Sequence, residues 1–437
     1  MMNVDAIIND LAKKVDCAEL YIQEEESTDV EILNDSVNTA KEESIKGVGI
    51  RVIKDNKQGF AYTTNLDKID VTANQAIMNA KLNAADENLS MIDNNHEYNE
   101  VKGLYDKKLE NFQLKDAIDF SKNLIDLVKE KQCNPTSGGI GVANGTITIA
   151  NSNGVYVSES TTSCAASIEV NVDDGDVVSS AYYFDASHGY DIDSQLIVDN
   201  ATSLALNSRN AQATHTRDSE VILDYNAARA LLSTFFSALN SENKQRGRSC
   251  FKDKLNQQVA SEHFTLIDDG TIPGALCSSI CDDEATPSQK TTLIEEGILK
   301  SFIYDIYHAN KDDDDVTSTA NAVRSGYTSV PSISFSNLKL EFDDLNTVSD
   351  ITNGVIVDSV MGAHTANPIT GDFSVEARNA FEIKNGEITT PIKKAMLSGN
   401  IFKIMEEATA ASNKTRQLGS CIIPPLYVKS LRVIGSI

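Results

Sequence analysis

The sequence predicts an α+β chain, with helix-flanked antiparallel sheets in the N-terminal half and a β-rich C-terminal domain. Three observations carry this. Apolar residues recur at helical spacing in only a few segments. Between those segments the period drops to two, broken by Asn-Gly and Asp-Gly turns. From residue 218 onward, short apolar arms around glycine turns take over and helices become rare. At 437 residues the chain is too long for one core, and its pattern divides it into units at 1–105, 106–217 and 218–437.

In the first unit Val4, Ile7, Ile8, Leu11 and Val15 share one helical face. Ala18–Gln23 reads as a short strand that stops at a polar break. Val48, Ile50 and Val52, alternating with Gly49 and Arg51, make a second strand, and Asp55–Gly59 turns it into Phe60 and Tyr62. A helix over 67–86 follows, and the unit ends in the polar stretch Ser90–Glu100. The second unit opens with a helix whose face carries Leu114, Ala117, Ile118, Leu124, Ile125 and Val128. Short strands follow at Thr146–Ile149, Val155–Val157, Ile168–Val170 and Val177–Val178, with turns at Asn151–Gly154 and Asp173–Gly175. Another helix is predicted over 193–208. In the third unit, Thr292–Ile303 and Phe381–Ile388 read as hairpins around Glu296-Gly297 and Asn385-Gly386. The Asp312–Asp315 run reads as a solvated loop.

A formal charge of −26 makes the chain a poor binder of phosphate backbones and anionic lipid surfaces. No run of about 18 apolar residues reads as a membrane span. The N-terminus is patterned as an amphipathic helix rather than a signal peptide, which points to a cytoplasmic protein. Seven scattered cysteines fit reduced thiols better than a disulfide framework.

The residues alone supply no complete catalytic constellation. None of the six histidines pairs at i, i+4, and there is no phosphate-binding glycine loop or nucleophile elbow. Cys277 and Cys281 are spaced as C-x-x-x-C without a second pair, and read as buried free thiols rather than metal ligands. Asp282-Asp283-Glu284 reads as a turn rather than an acid/base pair.

The C-terminal half carries an ordered series of short motifs. It runs Leu266–Gly270, Cys281–Pro287, Thr292–Lys300, Asn321–Arg324, Asn367–Ser374, Asn385–Ile388, Pro391 and Ser398–Asn400. In this order they closely resemble the TldD/PmbA family, also called the modulator-of-gyrase or U62 peptidase family. The resemblance covers 220–437 strongly, and the N-terminal half agrees in layout. It implies a metalloprotease acting on unfolded or modified peptides. TldD-type chains of the family bear H-E-x-x-x-H on a helix and a later cysteine, a zinc-binding set with a glutamate base. Aligned on Leu231-Leu232, those positions here are Ser233, Thr234 and Ala238. The ligands are lost, while Ala228, Leu231, Leu232, Phe235 and Leu239 keep the helix's buried face.

The resemblance is therefore to a PmbA/TldE-type chain: non-catalytic, without metal of its own, and paired with a zinc-bearing TldD-type sibling or with itself. Cys421 falls near the cysteine ligand position, and His364 lies inside a family motif. Both are candidates to line a cleft. Two rival expectations remain. One is a stand-alone peptidase with an atypical metal site drawn from His263, His364, Cys421 and nearby carboxylates; the other is a non-enzymatic regulator of DNA gyrase. The cysteine pattern itself makes a prediction. Titration of unfolded, unreduced protein should find every thiol reactive, and a persistent Cys277–Cys281 bridge would contradict it.

Overall fold

The computed structural model describes residues 3–175, 177–313 and 315–436. The chain is mixed α+β, as its periodicities predict. Strands β1 (Cys17–Leu33), β2 (Ser36–Lys54), β3 (Lys57–Thr63), β4 (Asn134–Asn151), β5 (Tyr156–Asp174) and β6 (Val177–Ser187) form one antiparallel sheet in the order β3-β2-β1-β4-β5-β6. The first two units of the sequence thus share a sheet through the β1–β4 pairing.

Its strands are far longer than expected. The polar stretch after Gln23 is no break: it continues β1, in register with β2 as far as Glu31. Much of it lies open to water, so apolar alternation is missing there. Likewise Val157 and Ile168–Val170 lie on one strand, β5. The predicted turns hold, with Gly154 and Gly175 both at positive φ.

Helices α1 (Val4–Leu11), α2 (Ile69–Leu82), α3 (Lys107–Glu110), α4 (Leu114–Glu130) and α5 (Ser194–Asn207) accompany this sheet. The α1 and α2 helices bury Leu20, Ile22, Ile50 and Val52. The α4 and α5 helices bury Val30, Ile32, Ile140 and Ile168. On β1 these are all even positions, so both helix pairs cover one face. The odd positions Glu19 and Tyr21, opposite Arg51 and Gly49 of β2, face the C-terminal domain.

That domain begins with the strand Arg217–Leu223, which runs into α6 (Tyr225–Ser237). Five strands pair in a closed circuit: Asn353–Met361, Arg217–Leu223, Leu426–Ile434, Ala395–Asn400 and Asp372–Lys384, the last pairing back to the first. A second sheet passes through Phe264–Asp269, Leu338–Phe342 and Cys421–Ile423. One core containing Phe235, Phe264, Val357 and Leu397 joins circuit, helix and sheet. Both predicted hairpins are present, with Glu296-Gly297 and Asn385-Gly386 at positive φ throughout. In the Asp312–Asp315 run Asp313 and Asp315 are exposed as expected, but the Asp312 carboxylate is largely covered. It accepts the Lys244 ammonium at 2.7 Å and the Tyr304 hydroxyl at 2.8 Å, while Asp314 lies outside the described residues.

The two halves meet at a buried ion cluster. Arg51 donates to Glu19 at 3.0 and 2.9 Å and to Glu284 at 2.8 Å, and Arg324 also donates to Glu19. These side chains are 0–5% exposed. Burial opposes the Glu19 charge, but Arg51 and Arg324 outweigh it and hold its carboxyl below the usual range. Beside the cluster, the Tyr327 ring lies on Gly47, where an added Cβ would collide with the ring. Replacing Arg51 by Met leaves Glu284 buried without its cation. We expect a loss of about 3–5 kcal/mol in urea denaturation. A loss below about 1 kcal/mol would show that the cluster carries little of the domain junction.

Candidate functional site

Helix α6 is positioned by its N-cap and by its polar face. Asp224 caps it, accepting the Tyr225 N–H at 2.9 Å. Leu231, Leu232 and Phe235 are buried, as the sequence pattern requires. The opposite face carries Asn226, Arg229, Ser233 and Ser237, one turn apart. Arg229 donates to the Leu418 carbonyl at 3.0 Å and ties this face to the Leu418–Cys421 hairpin.

The three aligned positions have unlike surroundings. Ser233 is exposed and donates to the Ala230 carbonyl at 2.7 Å. Thr234 is buried. Ala238, which caps the helix after Ser237, is 1% exposed. His364 lies on the exposed turn Ala363–Thr365 against α6. Cys421 is buried between Leu338 and Leu418, and burial pushes its thiol up, with Arg229 opposing. His263 bonds Asp343 at 2.7 Å in a depression it shares with Glu296 and Lys339. Among the described residues, no group of three or more His, Cys, Asp or Glu side chains is placed to hold a metal ion.

A cleft of about 510 Å³ opens where the N-terminal sheet meets the C-terminal domain. Ile147, Val157 and Glu159 line it from β4 and β5; Cys277, Asn321, Phe335 and Ser420 line the other wall. Cys277 is not buried as expected: its loop follows the cleft rim, where Asn337 accepts its N–H at 3.1 Å. Cys281 is partly covered, and burial pushes its thiol up; the Cys277 residue reaches solvent, yet the protein atoms crowding its thiol withhold enough water to raise it too. Raised thiols are poor nucleophiles, so this wall is suited to contact rather than covalent chemistry.

Asp282-Asp283-Glu284 is a turn, as predicted, and each carboxylate has its own task. Asp282 accepts N–H groups of Glu284, Thr286 and Ala322 at 2.8–3.0 Å. Burial and then the Glu284 charge push it well above the carboxylate range. Asp283 accepts the Tyr21 hydroxyl at 3.1 Å. Asp268, behind the cleft, is pushed to about 6 by burial, against hydrogen bonds from Asn321 and Ser336.

Sequence reasoning missed a second acidic pair. Leu223 lies beside Val357 in parallel pairing, which brings Asp224 and Asp358 together just beyond. The Asp224 N–H bonds the Val357 carbonyl at 2.9 Å. Burial pushes both carboxyls up, and Asp358 reaches about 7 with the Asp224 charge as the next cause. Neither residue lies in a recognisable motif; only the fold brings them together.

Three family profiles match: PmbA/TldA metallopeptidase domain 1 over 18–80, the central domain over 107–209 and the C-terminal domain over 216–435. The chain belongs to the PmbA/TldD family. It is 36% identical over 384 residues to an uncharacterised protein of Methanocaldococcus jannaschii, covering 88% of each chain. It is 26% identical to a Buchnera aphidicola protein named as a homologue of metalloprotease TldD, covering 94% of this chain and 88% of that one. Its fold superposes on TldE from Thermococcus kodakarensis with a TM-score of 0.91 and 26% identity, covering 99% of each.

The acidic pair makes a pH prediction. Asp358 holds its proton to about pH 7 when folded, whereas an unfolded aspartate loses it near pH 3.8. The folded state therefore binds more protons between those values, and stability falls as pH rises through that window. Urea unfolding of wild type and Asp358→Asn at pH 5 and pH 8 should show the smaller pH-dependent loss in the variant. Equal losses would mean that Asp358 ionises normally.

Proposed function

We propose that this chain is the metal-free, PmbA/TldE-like subunit of a TldD/TldE-type metalloprotease that acts on unfolded or modified peptides in the cytoplasm. A zinc-bearing TldD-type sibling would supply the chemistry. The single observation that carries this is the make-up of α6. Where the family's zinc-binding helix has two imidazoles and a carboxylate, this helix has Ser233, Thr234 and Ala238. Two hydroxyls and a methyl do not fit a zinc ion, which takes histidine, thiolate or carboxylate ligands. Two of the three side chains are also packed into the core. The likeness to TldE over 99% of both chains supports the same reading.

What this chain contributes is shape and contact. Its cleft offers the apolar Ile147, Val157 and Phe335 beside polar Asn321 and Ser420. A mostly apolar wall with a few polar groups suits peptides of varied sequence. Main-chain pairing at strand edges serves the same end, because it reads backbone rather than side chains.

Elemental analysis after dialysis should find far less than one zinc per chain, and the isolated protein should cleave no denatured peptide. Mixing with a TldD-type chain should yield both a complex and cleavage. About one tightly held zinc per isolated chain would overturn the proposal and favour an atypical peptidase. Failure to pair with any TldD-type chain, joined to capture of gyrase, would favour the regulator.

A further inference from the structure

The cleft between the N-terminal sheet and the C-terminal domain holds one carboxylate that no cation neutralises among the described residues. Glu159 of β5 lies directly opposite Ile147 of β4, and Val157, two residues earlier, shares its face of the sheet. All three line the cleft of about 510 Å³. The Glu159 side chain reaches across to the 277–283 loop, where the Ile280 N–H is shared between its two oxygens at 3.2 Å each. A carboxylate has about four acceptor positions, so one shared N–H leaves most of them open.

The other charged groups at this place are committed elsewhere. Asp282 is held by three backbone N–H groups. Asp283 accepts the Tyr21 hydroxyl and the Arg324 N–H. The His188 ring has Nδ1 2.5 Å from the Thr162 carbonyl and Nε2 3.2 Å from the Ala275 carbonyl, so neither nitrogen is turned to Glu159. The nearby junction cations, Arg51 and Arg324, face Glu19 and Glu284. No lysine or arginine is among the residues that line the cleft. Burial accordingly pushes the Glu159 carboxyl up, with the Ile280 N–H opposing.

A half-buried carboxylate without a counter-charge is costly, and a cation carried in by a ligand would offset that cost. The neighbouring wall suits the rest of such a ligand. Ile147 is 37% exposed although it is a large apolar residue, and Val157 and Phe335 line the cleft with it. Lysine and arginine have an apolar stem that can lie on a surface of this kind while the charged end reaches a carboxylate.

We propose that the cleft takes a lysine or arginine side chain of a bound peptide, with Glu159 as its counter-charge and Ile147 against its stem. The proposal rests on the reading of the cleft as a peptide-contact surface, and adds that basic residues are the ones it selects. A net charge of −26 draws basic peptides to the whole chain, so the effect of Glu159 has to be separated from that general field.

The test uses full-length protein and short labelled peptides, N-acetylated and identical except at one central position, which is lysine, norleucine or glutamate. A further norleucine peptide keeps a free amino terminus. Fluorescence anisotropy at pH 8 and low salt should show the lysine peptide bound about tenfold more tightly than the acetylated norleucine one, the scale of one charged hydrogen bond. Glu159→Gln keeps an acceptor for the Ile280 N–H but removes the charge. It should abolish the lysine preference and leave norleucine binding unchanged. Glu387→Gln removes the same charge from the exposed Asn385-Gly386 hairpin and should leave the preference intact. Circular dichroism checks that both variants keep the fold. Lysine bound no better than norleucine, a preference that survives Glu159→Gln, or an equal loss in Glu387→Gln would overturn the proposal. So would a free amino terminus bound more tightly than lysine, since the cation would then be the peptide's end. Binding without any preference removes this proposal alone; no binding of any peptide removes the peptide-contact reading of the cleft with it.

Discussion

The arrangement of the molecule depends on four buried charges. Glu19 and Arg51 come from the N-terminal sheet; Glu284 and Arg324 come from two loops of the C-terminal domain. Two cations and two anions cancel, but removing them from water is costly, and a hydrophobic junction could be as stable. What the cluster adds is a single docking position. A sheet shifted by one residue would turn Glu19 and Arg51 toward α1 and α2, leaving charges in an apolar layer. The cleft walls lie on either side of this junction, β4 and β5 on one and 277–283 with 320–323 on the other. Their separation is therefore set by the same four residues.

The turn motif at 281–287 takes its meaning from this. Asp282 spends its oxygens on backbone N–H groups, so the loop keeps its shape. Asp283 and Glu284 then point to Tyr21 and Arg51 on the other half. Arg324 adds a stacked contact, its guanidinium 4.8 Å from the Tyr21 ring centre. Three consecutive carboxylates look like acid/base chemistry in a sequence. Here they hold the junction together, and the cleft they border has raised thiols and raised carboxyls without a nucleophile–base pair.

Local features were legible in the sequence, and long-range ones were not. The helix beginning at Leu114 and the Asn385-Gly386 hairpin follow from short-range period and turn chemistry. The full length of β1 does not, because residues 24–29 are polar throughout and lack the apolar alternation that marks a strand. The closed strand circuit depends on pairing Arg217–Leu223 with strands more than 100 residues away, which periodicity cannot reveal. The ion cluster left a trace. Gly47, Gly49 and Arg51 occupy alternate positions facing away from Val48, Ile50 and Val52. A strand face made of two glycines and an arginine fits close backbone approach beside a buried charge, yet its partner Glu284 is 233 positions away.

Helix α6 owes its place to packing. Phe235 packs edge-on against Phe251 and Phe264, at ring distances of 5.3 and 6.3 Å, so the helix is core first. Of Ser233, Thr234 and Ala238, only Ser233 stands outside that packing. Ser233 lies in solvent, and its hydroxyl is satisfied within the helix. Ala238 is the harder position. It stays in right-handed helical geometry as the cap and is sealed in by Ser249, whose hydroxyl donates to its carbonyl at 2.5 Å. On a regular helix, positions five apart point about 140° away from each other. An imidazole at 238 would thus enter the core rather than meet one at 233. Zinc binding on this helix therefore requires the segment after Ser237 to unwind and Ala238 to leave its packing. Three substitutions supply neither change, so the packing around Ala238 bears on metal binding at this helix as much as the side chains do.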